Sequence, residues 1–122
     1  PNPLPYPKRS KDIDYGLQHK IVVKWIFINL KINMDQEKIK KDWDSRGYSF
    51  GIFKDPPGKI WADFVHMTDE LVVLAEGEIE IEIEGKSEQP TIGSEIFIPA
   101  NAMHTVRNVG NTNNVWYYGY KR

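Results

Sequence analysis

The sequence contains no cysteine. Disulfides, thiolate metal clusters and cysteine nucleophiles are therefore excluded together, and any metal must be held by imidazole, carboxylate or water. Histidine is scarce as well, with only His19, His66 and His104. Excess charge is missing too: 16 basic against 17 acidic side chains leave a net charge of -1. Without a whole-molecule field to attract phosphate backbones or an anionic bilayer, neither nucleic acid nor a membrane is expected as a partner. No apolar run approaches the roughly 20 residues of a spanning helix. The most apolar window, Ile21 to Ile32, is interrupted by Lys24, Asn29 and Lys31. Pro1, Pro3, Pro5 and Pro7 stand where a secretory leader needs a charged start and an apolar run, so the expected location is cytoplasmic.

A chain of 122 residues encloses one apolar core and little more. Residues 1–20 begin with a stretch rich in proline and charge, which predicts an extended, solvated arm. The folded domain is expected over 21–122. In Ile21–Ile32 the alternation of Ile26, Ile28, Leu30 and Ile32 with Trp25, Phe27, Asn29 and Lys31 predicts a strand. Between Met34 and Arg46, Ile39 and Trp43 lie four apart among charges and Gly47 follows, which predicts one short amphipathic helix with a glycine stop. Met34 is an alternative first residue, and the mass of the natively expressed protein decides between the two.

Beyond Gly47 the chain is a series of short β-rich segments: 48–53, 60–66, 71–75, 78–84, 95–98, 104–109 and 115–120, with a DPPG turn at Asp55–Gly58. Many short strands with turn residues between them predict an all-β sandwich or barrel. In Glu78–Glu84 glutamate and isoleucine alternate, placing Ile79, Ile81 and Ile83 inward and the carboxylates on a solvated face.

The residues best placed for chemistry are His66, Glu70 and His104. The first two flank a turn between strands and the third opens a later strand, so the three can converge on one side of a sheet. Two imidazoles and a carboxylate leave coordination positions open and suit iron, manganese, nickel or zinc alike. On the residues alone, a hydrogen-bonded polar pair beside a surface histidine is the competing reading. Trp61, Met103, Tyr48 and Tyr118 are candidates to line a pocket for a small molecule, out of a wider set that includes Phe53, Trp116 and Tyr120; core packing is their competing role. Arg107 is expected to point outward into a surface ion pair. No catalytic residue is singled out, although Glu70 could act as a base if it left a metal.

Two stretches carry a family resemblance. GKIWADFVHMTDELVVLAEG is similar to the first cupin motif, G-x5-H-x-H-x3,4-E-x6-G, with Gly58, Phe64, His66, Glu70 and Gly77 at its marked positions. GSEIFIPANAMHTVRN resembles the second, G-x5-P-x-G-x2-H-x3-N, with Gly93, Pro99, Asn101, His104 and Asn108. The resemblance implies a single-domain cupin β-barrel (double-stranded β-helix or jelly roll), preceded here by one short N-terminal helix. It implies a divalent transition metal on His66, Glu70 and His104, a small-molecule ligand, and a homodimer formed through the N-terminal arm and strand. Phe64 replaces the usual first metal histidine and so joins the expected pocket. Asp63, adjacent but of opposite parity, should point away from the barrel unless a bulge turns it inward. Asn101 replaces a glycine, which is mild because asparagine tolerates left-handed backbone. The implied activity is that of a metal-dependent dioxygenase or isomerase; a non-catalytic binding or structural barrel is the alternative.

Overall fold

The computed structural model describes the backbone of residues 8–122 and the side chains of residues 20–27 and 35–122. The chain divides into two compact units, 1–37 and 38–122. In the first, the backbone is helical from Lys8: helix α1 spans Lys8–Ser45, 38 residues in all. This corrects three expectations. The arm expected to be extended over 1–20 is helical from Lys8 onward, and its first seven residues lie outside the described part. The strand expected at Ile21–Ile32, and with it the strand pairing between two copies, is replaced by helix. The helix is also not short. Apolar residues are so dense here that a period of two and a period of 3.6 both fit, and a helix satisfies its own N–H and C=O groups without a partner strand. Ile21, Val22, Trp25, Ile26 and Phe27 are exposed on it. No helix among the described residues is long and apolar enough to cross a membrane.

The second unit holds the end of α1 and eight strands: β1 (Gly51–Asp55), β2 (Ile60–Phe64), β3 (Glu70–Glu76), β4 (Glu80–Ile83), β5 (Lys86–Glu88), β6 (Glu95–Ile98), β7 (His104–Arg107) and β8 (Asn114–Tyr120). They form two four-stranded sheets, β1-β8-β3-β6 and β2-β7-β4-β5, antiparallel throughout. The turns follow local chemistry. Lys59 N–H donates to Pro56 O (3.2 Å) around Pro57 and Gly58 (φ 83°), a proline-glycine pair suited to a type II turn. Glu84 (φ 49°) and Gly85 (φ 81°) make the two-residue hairpin into β5, a strand too short and polar to be expected from its sequence.

Residues of both sheets share one core: Val72, Leu74, Ile79, Ile81, Ile98, Val106 and Trp116. The isoleucines of β4 point inward as their alternation predicts, while Glu80 and Glu82 point out and both pair with Arg107 at 2.9 Å. A second cluster lies on the opposite face of β3 and β8, where Leu71, Val73 and Tyr117 pack with Trp43 and Tyr48. Burial on both faces explains why ELVVLA is a continuous apolar run and not an alternating one.

The end of α1 is held in place at this second cluster. Gly47 (φ 85°) donates to Asp44 O (3.0 Å) and Tyr48 N–H to Trp43 O (2.8 Å), the paired bonds of a glycine-stopped helix with an apolar contact across the stop. Trp43 is 1% exposed, and its indole donates to Glu95 Oε1 at 3.0 Å. Arg46 holds the same carboxylate with two bonds of 2.8 and 2.9 Å.

Two predictions follow from this docking. A Cβ at Gly119 would collide with the Ser49 carbonyl and come within 2.7 Å of the Trp43 ring, so Gly119→Ala should destabilise the barrel by about 1–3 kcal/mol in urea titration, with no change in bound ligand or metal. The Arg46 guanidinium holds Glu95 below its usual value of 4.5. Its contribution is therefore present above that value and lost as pH falls through the lower folded value. The pair is partly exposed, so Glu95→Gln should cost only about 1 kcal/mol at pH 7, and the difference from wild type should shrink below pH 4.

Candidate metal centre

The inner face of β2 is made by an irregularity. Trp61 faces Val106 and Phe64 faces His104, with the register shifting between them. The shift falls at Asp63, whose φ is 58° and whose N–H donates to Thr105 Oγ1 at 3.0 Å. On a regular strand Trp61 and Phe64, three residues apart, would face opposite sides; the bulge brings both inward. Asp63 is left exposed, so the bulge turns it away from the ligand set. Two residues after Phe64, His66 is tied to the second motif: its carbonyl accepts from Asn101 N–H at 2.6 Å. Asn101 has φ 67°, the left-handed backbone expected where glycine is usual.

Glu70 opens β3 on the same inner face as Val72, and His104 opens β7 opposite Phe64 and Ile83. The donor atoms of His66, Glu70 and His104 lie within 4.8 Å of one another. Glu70 Oε1 is 3.3 Å from His104 Nε2 and 3.6 Å from His66 Nε2, yet it is buried without a hydrogen-bond partner. The reason lies on the far side of the ring. His104 Nδ1 is 3.0 Å from Ala102 O, a bond that requires the hydrogen on Nδ1 and leaves Nε2 as a lone pair aimed at the carboxylate. Acceptors then face acceptors, and either a proton or a cation resolves the conflict. Burial favours the neutral His104 ring, but the Glu70 carboxylate and the Ala102 carbonyl outweigh it and raise the imidazole above its ordinary value. A carbonyl that fixes the remote nitrogen is also what orients a metal-binding histidine. The donor set, its geometry and the unsatisfied oxygen fit a divalent cation.

These groups line one end of a cavity of about 140 Å³. Glu70 and His104 are buried while His66 is partly exposed and Phe64 is 37% exposed, so the opening lies past Phe64 and His66. Phe53, Trp61, Phe64 and Trp116 supply most of its wall, with Val106 beneath. Tyr120 completes the polar end, its hydroxyl 3.4 Å from His66 Nε2. Burial, with Glu70 and Tyr118 nearby, pushes this phenol up to about 12, so it remains a protonated donor. The structure separates the pocket residues expected from sequence: Phe64 and Trp61 line the cavity, whereas Tyr48 lies in the second cluster, Met103 is half exposed and Tyr118 packs behind Phe53, ring to ring at 4.7 Å. Strand parity admits Trp116, Tyr118 and Tyr120 alike, and only the tertiary packing decides which reach the cavity.

The family profile described as "Cupin domain" matches residues 51–119. A search of the curated proteins found no match. Among solved structures, the plu4264 protein from Photorhabdus luminescens superposes with a TM-score of 0.58 at 21% identity, over 62% of this chain and 63% of that one. An oxalate oxidase in complex with the substrate analogue glycolate gives 0.57 at 23% identity, over 63% of this chain and 43% of that one. A predicted oxalate decarboxylase from Thermotoga maritima gives 0.57 at 23%, over 66% and 72%. The first two are thus covered over less than two thirds of their length, and at these identities the likeness concerns the fold.

In the metal-free protein, the His104 ring should titrate above 6.5 when followed by NMR. A raised folded value stabilises the protein below the unfolded one and loses that effect as pH rises through the folded value. Glu70→Gln removes the carboxylate while burial stays, so the ring should titrate lower than in the wild type, and the extra stability of the metal-free protein in mild acid should vanish.

Proposed function

This chain belongs to the cupin family, and from that premise we propose that it is a small metal-dependent cupin enzyme. In this reading His66, Glu70 and His104 hold one divalent transition metal, drawn from iron, manganese, nickel and zinc, and the site acts on a small organic substrate by dioxygenase-like or isomerase-like chemistry. The observation that carries the reading is the buried Glu70 oxygen without a hydrogen bond, faced by imidazole nitrogens. A buried carboxylate left in that condition is costly, and a cation removes the cost. When bound, the metal supplies a Lewis acid with open positions. The chain's own residues do the rest. The Ala102 carbonyl sets the His104 tautomer, the Tyr120 hydroxyl would donate to an oxygen of the substrate, and the aromatic wall would hold the apolar part of that substrate away from water.

One observation favours a second reading. Phe64 occupies the place of the usual first metal histidine, with its ring 5.9 Å from His66 and 6.3 Å from His104. With one ligand fewer the metal binds more weakly, and a ligand-binding or structural barrel without turnover becomes the competitor. The oxidase named above is an oxalate oxidase and the decarboxylase a predicted oxalate decarboxylase; with likeness limited to the fold, oxalate is only one starting point for a screen.

Elemental analysis of purified protein separates the readings. Wild type should hold close to one transition metal per chain, and His66→Ala and His104→Ala should each reduce this to about a tenth or less. Phe64→His, which restores the fourth ligand, should slow metal loss to a chelator. A wild type that neither contains nor takes up metal favours the non-catalytic barrel.

A further inference from the structure

The cavity has two ends of opposite character. At one end stand His66, Glu70, His104 and the Tyr120 hydroxyl. The remaining wall has no free hydrogen-bond donor, although it contains two tryptophans. Trp61 Nε1 donates to Asp55 Oδ2 at 2.9 Å and Trp116 Nε1 to the same oxygen at 3.0 Å. Both indole N–H groups are thereby committed to a carboxylate outside the cavity, and only ring faces, ring edges and Val106 methyls remain toward the ligand. No lysine or arginine lines the cavity among the described residues. Lys59, with its ammonium 4.3 Å from the centre of the Trp61 ring, is exposed and is not part of the lining.

These observations specify a ligand. A single anionic or chelating oxygen head can meet the metal and Tyr120. A second charge would be pressed against aromatic carbon with no counter-ion and no donor, which is unfavourable. The cavity is about 140 Å³ with its polar end included, and apolar protein cavities of about 150 Å³ admit a benzene ring, so one ring is the largest apolar group this cavity takes. Phe53 is at the centre of the wall, its ring 5.3 Å from Trp61 and 4.9 Å from Trp116, in the tilted contacts that aromatic rings favour.

Resting on the metal-site reading above, we propose that this site selects a monocyclic aromatic molecule with one metal-binding oxygen group, and rejects small dicarboxylates. The head binds at His66, Glu70, His104 and Tyr120. The ring lies against Phe53, Trp61 and Trp116, with Phe64 closing over it at the mouth.

Co(II)-loaded protein titrated with benzoate, acetate and malonate tests this through the visible cobalt bands. Benzoate should bind at least about tenfold more tightly than acetate, and malonate no more tightly than acetate. Phe64→Leu, a change at a partly exposed position, should weaken benzoate relative to acetate by about threefold or more. Malonate binding as tightly as benzoate, or acetate equal to benzoate, overturns the assignment. If the protein takes up no Co(II), the metal reading has failed and the aromatic half is read separately: benzene should shift the indole N–H resonances of Trp61 and Trp116, and unshifted resonances overturn it.

Discussion

The barrel and its cavity both depend on one buried carboxylate. Asp55 ends β1, is 6% exposed, and accepts with a single oxygen from the indoles of Trp61 on β2 and Trp116 on β8. Its backbone carbonyl accepts from Asn108 Nδ2, the same amide that reaches Thr112 O. One residue therefore ties β1 and β8 of the first sheet to β2 of the second and to the loop after β7. Satisfying the two indole donors also turns both rings so that their polar edges leave the cavity. The apolar character of the site is a consequence of where these two hydrogens are bound.

The bulge at Asp63 is the complementary device. It lets a strand with Trp61 inward also deliver Phe64 and His66 inward, and so assembles the aromatic wall and the ligand set from one short segment. With Phe64 in place of an imidazole, the donor set drops to three and the mouth becomes apolar. Glu70 then stands buried between two imidazoles, one fixed by a backbone carbonyl, in an arrangement that calls for a positive charge, either a proton or a metal ion. Were a metal to bind, competition between the two would couple its affinity to pH.

Strands β3 and β8 are shared between the two apolar clusters. One face of each fills the barrel and carries Glu70 and Tyr120; the other receives Trp43 from the end of α1 and Tyr48 from just beyond its glycine stop. Gly119 is the point of closest approach, since the Trp43 ring occupies the space a side chain would take. The helix end thus buttresses the outer face of the two strands whose inner faces carry site residues, and the Glu95 carboxylate, gripped by both Trp43 and Arg46, holds it there.

Much of this was legible in advance where the information is local. The spacing of His66, Glu70 and His104, the inward isoleucines of β4, the outward Arg107, the stop at Gly47 and the left-handed Asn101 follow from strand parity, turn chemistry and motif spacing. The helix over Ile21–Ile32 was not legible, because a dense run of β-branched and aromatic residues has no single period. Nor was the bulge, because an extra residue in a strand leaves no mark in an alternation this short. By itself the sequence determined a small β-barrel and, through its two motifs, pointed to His66, Glu70 and His104 as residues that converge. Only the tertiary structure decided that Phe53, Trp116 and Tyr120 face the cavity while Tyr48, Met103 and Tyr118 do not, since which side chains meet across two sheets depends on register and packing between segments far apart in the chain.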